Sequence, residues 1–170
     1  MDINSLDRFI EAQEHMYTVA LKEIKKGQKY SHWMWYIWPQ LRGLGHSENS
    51  YVYGISGLDE ARAYLAHPIL SVRLIEISEA VLKFRNKRPE EILGRVDAKK
   101  LQASMTLFSL VSEENSVFHK VLEQFYQGEL SEKTLNILQI EHPVSQQTPK
   151  EPDKPSRIKN FGKRIRRDKR

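Results

Sequence analysis

The 170-residue sequence contains no cysteine. That excludes disulfide bonds, thiolate nucleophiles and zinc sites built on cysteine. Long apolar stretches are missing as well. The longest unbroken run, Trp33 to Trp38, has six residues, against the roughly 20 that a membrane span requires. The start, MDINSLDRFIEAQ, has neither a basic cluster nor an apolar stretch and does not read as a secretory signal. No segment alternates apolar and polar residues with period two, so strands are not expected. The expectation is a soluble, cytoplasmic protein whose length suits one domain with a tail, large enough to hold a core without metal or disulfide.

The net charge of +5 and a pI near 9.3 suggest a nucleic-acid binder only until the charge is divided along the chain. Residues 1–140 carry 17 basic and 18 acidic side chains, and residues 141–170 carry 10 and 4. The whole excess therefore lies in the last segment, which also holds Pro143, Pro149, Pro152 and Pro155. With few large apolar residues to offset the entropy of ordering, residues 141–170 read as a disordered basic tail behind a neutral globular domain, 1–140.

Within 1–140 the period is helical. Leu6, Phe9, Ile10, Gln13, Met16, Tyr17, Ala20, Leu21 and Ile24 form a stripe behind a Ser5 cap, and Gly27 ends it. A short helix is expected between Ser31 and Pro39, and another from Ser47 to Tyr53. Leu58–Ala66 reads as a helix that His67-Pro68 terminates, with Pro68 in the first turn of a long, central helix through Phe84. Pro89 opens a short turn, Asp97 caps the next helix, and Ser116 and Ser131 cap the last two. The expected fold is all-α, a single compact domain of about seven helices.

Candidate chemistry centres on the aromatic run. Trp33, Trp35 and Trp38 sit between His32 and the pair Gln40 and Arg42, a pattern that suits a planar ligand with a polar edge as well as a plain core. Arg42-Gly43-Leu44-Gly45 follows, ahead of a short helix, where backbone N–H groups can meet an anion; a tight interhelical loop explains the same residues. Asp97, Lys100 and Ser104 fall on one helix face, either as a nucleophile with its helpers or as a cap, a surface pair and a packing residue. Six scattered histidines give no metal-ligand spacing, so neither metal nor cofactor is expected; His32 and His67 are the better-placed pair. In the tail, Ile158, Phe161 and Ile165 share a helical face among Lys163, Arg164, Arg166 and Arg167, a composition suited to nucleic acid or another anionic surface.

The stretches Ser31-His32-Trp33-Met34-Trp35 and Pro39-Gln40-Leu41-Arg42-Gly43-Leu44-Gly45 resemble the signature of a bacterial family, domain of unknown function 1810. Tyr53-Gly54-Ile55, Leu58 to Leu65, His67-Pro68, and Asp97 with Lys100-Leu101 and Ser104 to Phe108 continue the resemblance, which covers roughly residues 5–140. Trp38 stands where the family usually has Phe, and Ala103 where it usually has Ser. The resemblance implies a helical bacterial domain with no established activity. The label calpastatin carried by some members is set aside, because a calpain inhibitor is a disordered repeat protein.

Two functions follow as expectations. The first is binding, with or without hydrolysis, of a small anionic ligand such as a nucleotide or ADP-ribose derivative. His32 or Asp97 would act as acid or base, Arg42 and Lys100 would contact the anion, and Trp35 would stack, with Gln40, Gly43, Gly45 and Ser104 completing the site. The second is a non-catalytic module tethered to nucleic acid or ribonucleoprotein by its tail.

Overall fold

The computed structural model describes residues 2–141. The basic segment with Lys163, Arg164, Arg166 and Arg167 lies outside the described residues. Among those described, nine helices form and no strand does: α1 Asp7–Lys26, α2 Met34–Ile37, α3 Glu48–Val52, α4 Leu58–Ala66, α5 Leu70–Leu82, α6 Pro89–Leu93, α7 Arg95–Ser109, α8 Val117–Tyr126 and α9 Glu132–Leu138. The segments are those the sequence assigns to helix or, at Pro89, to a short turn, and the count passes the expected seven because α2, α3 and α6, only four or five residues long, each form as separate helices.

Capping chemistry fixes several of these ends as anticipated. Ser47, Ser116 and Ser131 each accept a hydrogen bond from the backbone N–H three residues on. Gly27, at φ 79°, closes α1 in the left-handed conformation. Other ends differ. α1 begins behind Leu6, and Ser5 Oγ accepts only from the Asp7 N–H, at 3.2 Å. Pro68 lies before α5 rather than in it, and the His67 ring caps that helix: Nδ1 accepts from the N–H groups of Ile69 and Leu70 at 3.2 and 3.3 Å. α7 starts at Arg95, after Gly94 at φ 82°, so Asp97 lies within the first turn and is not its cap.

α1 packs on α5, α5 on α8, and α8 on α7, while α4 bridges α5 and α7. The central helix is α7 rather than α5, for α7 also receives α6 and α9 and buries nine residues, including Leu101, Met105, Leu107 and Phe108. The widened apolar face of α5 is only partly covered, with Ile75 38% exposed. Leu41 and Ile55 pair in a single parallel bridge that ties the chain before α3 to the chain after it. No helix among the described residues is long and apolar enough to cross a membrane.

Candidate functional site

The aromatic run is built into the core. Trp33 and Trp38 are buried, with ring centroids 5.8 Å apart. Trp38 Nε1 donates to Ser78 Oγ at 3.0 Å, and Trp33 Nε1 donates to Glu23 Oε1 at 3.3 Å. Glu23 also accepts from the N–H groups of Tyr30 and Ser31, both at 2.6 Å, so one carboxylate fastens the whole entry to α2. Burial pushes the Glu23 carboxyl up, but the hydrogen bonds from Ser31, Tyr30 and Trp33 outweigh it and hold the group below its ordinary value. A second clamp is Arg8, fully buried, which donates to the Ser5, Val52 and Gly54 carbonyls and pairs with Glu60 at 2.7 Å.

Most of the sequence-predicted site residues serve this scaffold. Arg42 Nε donates to the Tyr51 carbonyl and Nη2 to the Ile3 carbonyl, both at 3.0 Å. Asp97 bridges Lys29 at 2.8 Å and Lys100 at 3.6 Å, pinning the chain after α1 to α7. Lys29 lies over the Trp33 ring and Lys100 over the Trp35 ring, 5.0 and 4.9 Å from the centroids. Trp35 is half-buried, and its Nε1 is enclosed without a partner among the described residues. Ser104 is fully buried and its Oγ is likewise unpartnered. His32 is exposed, and its carbonyl accepts from the Tyr36 hydroxyl at 3.4 Å.

Gly43 has φ 102°, which favours glycine. A Cβ at Gly45 would lie 2.3 Å from Ser50 Oγ, so that glycine answers to the close approach of α3. α3 has five residues, and its cap is filled by Ser47.

A cleft of about 1360 Å³ opens along α7, between the 40–45 loop and the turn joining α8 to α9. Of the expected ligand contacts, it gathers Gln40, Gly45 and Lys100 on its lining. Trp35, Arg42, Gly43, Asp97, Ser104 and His32 are not on it. The sequence reading missed Arg95, Lys99 and Lys133, which bring the lining to four basic side chains against Glu129 and Glu132. Arg95, Lys99 and Gln102 stand at i, i+4 and i+7 on α7, a polar stripe visible in the helical period. Lys133 arrives from a separate helix and gives no such signal.

The far wall of the cleft is fastened to α7. Gln102 Nε2 donates to the Glu129 carbonyl at 3.0 Å, the Ser131 N–H donates to Thr106 Oγ1 at 2.9 Å, and the Tyr126 hydroxyl donates to the Ala98 carbonyl. Burial raises the Tyr126 hydroxyl above its ordinary value, in the direction that favours the protonated donor. Gln127 and Gly128, at φ 53° and 76°, turn the chain sharply out of α8 and set this wall. No group of three or more His, Asp or Glu residues placed to hold a metal forms among the described residues.

The model of the family described as "Protein of unknown function (DUF1810)" matches residues 3–138. The crystal structure of the conserved hypothetical protein Rv1873 from Mycobacterium tuberculosis is similar, with 41% sequence identity and a TM-score of 0.78. The alignment covers 82% of this chain and 100% of that one. No curated protein matches the chain.

Proposed function

The chain belongs to the DUF1810 family, and from that premise we propose that it binds a small anionic ligand, of the nucleotide or sugar-phosphate kind, in the cleft beside α7. One observation carries the reading. Arg95, Lys99 and Lys133 border the cleft with no carboxylate of the described residues within ion-pair distance, although residues 1–140 have slightly more acid than base. A local excess of cations in a balanced body raises the concentration of an anion there. Arg95 supplies a planar fork for a phosphate, and the lysines add point charges. Leu44, Val96 and Leu130 offer apolar area to the ligand body, while Gln40 and Gln127 carry amides for its polar edges. No aromatic ring of the described residues lines the cleft, so the ligand is held by its charge and its sugar rather than by stacking on Trp35.

The test is thermal unfolding of the full chain against AMP, ADP-ribose, glucose 6-phosphate and inorganic phosphate, with adenosine and glucose as neutral controls. A ligand at a hundred times its Kd stabilises by about 2.7 kcal/mol, a rise of about 5–10 °C for a chain of this size. The expected outcome is a rise with a phosphorylated compound that Arg95→Glu with Lys99→Glu removes. A flat panel, or an equal rise in the double variant, would refute the reading.

A further inference from the structure

A second groove, of about 730 Å³, lies between α5 and the turn that opens α8. Leu65, Ile75, Leu82, Val117 and Phe118 give it an apolar lining, and Glu79, Glu113 and Glu114 give it an acidic one, against Lys120 as its basic member. None of the three glutamates has a basic group of the described residues within ion-pair distance. Beside the groove, Val72 is 61% exposed and shares the outward face of α5 with Ile75 and Glu79. An acidic rim around uncovered apolar side chains asks for a basic amphipathic partner.

We infer that this groove is the docking site of the chain's own basic C-terminal segment, residues 157–167. That segment places Ile158, Phe161 and Ile165 at i, i+3 and i+7, among Arg157, Lys159, Lys163, Arg164, Arg166 and Arg167. Apolar side chains flanked by cations complement an apolar lining flanked by carboxylates. The reach is sufficient. The 16 residues between Glu141 and Ile158 span up to about 50 Å when extended, and a 140-residue domain has a radius of gyration of about 14 Å. Tethering also presents the segment at an effective concentration of the order of mM, so a weak contact is enough to occupy the groove. This inference is independent of the anion cleft, which lies at the opposite end of α8, about 15 Å away along that helix.

The absence of native cysteine makes the test specific. A nitroxide attached to the full chain through Asn115→Cys sits on the groove, and one attached through Glu129→Cys sits at the other end of α8. The expected result is that the first label broadens the NMR signals of Ile158, Phe161 and Ile165 severalfold more than the second does. That difference should vanish with Glu79→Gln, Glu113→Gln and Glu114→Gln combined, and in about 1 M salt, where the screening length falls to about 3 Å. Equal broadening by both labels, unchanged by the glutamine substitutions, would overturn the inference. So would equal labels combined with protection of the segment only by added single-stranded RNA, which would assign it to nucleic acid.

Discussion

The Trp33–Trp38 run and the cleft beside α7 reverse what their residues advertise. The first holds the richest chemistry in the sequence, yet most of what surrounds it is spent inside the molecule: Trp33 on Glu23, Trp38 on Ser78, and the neighbouring Asp97 on Lys29 and Lys100, with only the Trp35 Nε1 of the three indoles unpaired among the described residues. The second adds to Gln40, Gly45 and Lys100 a set of residues that carry no motif, and it leaves Arg95, Lys99 and Lys133 without a carboxylate partner among the described residues. A polar group already satisfied by the fold contributes stability; a ligand is recruited by polar groups the fold leaves open. Substitutions should therefore separate the two regions, lowering stability in one and ligand response in the other.

The largest loss is expected in the scaffold that carries the aromatic run. Arg8→Ala leaves Glu60 and three carbonyls behind in a buried setting, and should cost about 3–5 kcal/mol in denaturant unfolding. A loss below 1 kcal/mol would mean that the clamp is not structural. Glu23→Gln should cost about 1–3 kcal/mol at neutral pH, because three donors lose a charged acceptor.

That cost has a predictable pH dependence. The folded-state pKa of Glu23 is lowered, so its stabilisation is complete above the ordinary value of 4.5 and disappears as pH falls through the lowered one. The gap between wild type and Glu23→Gln in urea midpoints should therefore close on acidification below that value. A constant gap would contradict the assigned cause.

The cleft should behave in the opposite way. Arg95→Glu with Lys99→Glu replaces exposed side chains and should shift stability by no more than about 0.5 kcal/mol per site, while abolishing the thermal response to phosphorylated ligands. If Glu23→Gln folded normally yet lost that response, the division between the regions would fail. The smallest effect belongs to Ser104→Ala. Its buried hydroxyl has no partner among the described residues, so removing it should be neutral or stabilising by up to about 1 kcal/mol, with the ligand response retained. A lost response with stability intact would return Ser104 to the site.

Much of the fold was legible because helix ends announce themselves locally. Ser47, Ser116 and Ser131 each cap a helix with their own oxygen, and Gly27 supplies a left-handed terminus, all within four residues of the signal. Asp97 misled for the same local reason. An acidic residue before an apolar period resembles a cap, but Gly94 starts the helix earlier, and the carboxylate is taken by Lys29, 68 positions away. Of the candidate site, Gln40, Gly45 and Lys100 were legible, and the α7 stripe of Arg95 and Lys99 was present in the period without being recognised. Arg42 could not be placed from its neighbours, since its partners, the Tyr51 and Ile3 carbonyls, are set by chain crossings.

By itself, the sequence determined the all-α class, most helix positions, the separation of a balanced body from a basic C-terminal segment, and the absence of cysteine chemistry. These follow from periodicity, capping and composition, which act over a few residues or over the whole chain. Only the tertiary structure decided which polar groups were consumed and which were left facing outward. The cleft joins segments near residues 40, 100 and 130, and Arg8 meets Glu60 through the packing of separate elements. Whether a side chain is a scaffold or a ligand contact depends on whether folding brings it a partner, and that is a long-range property of the chain.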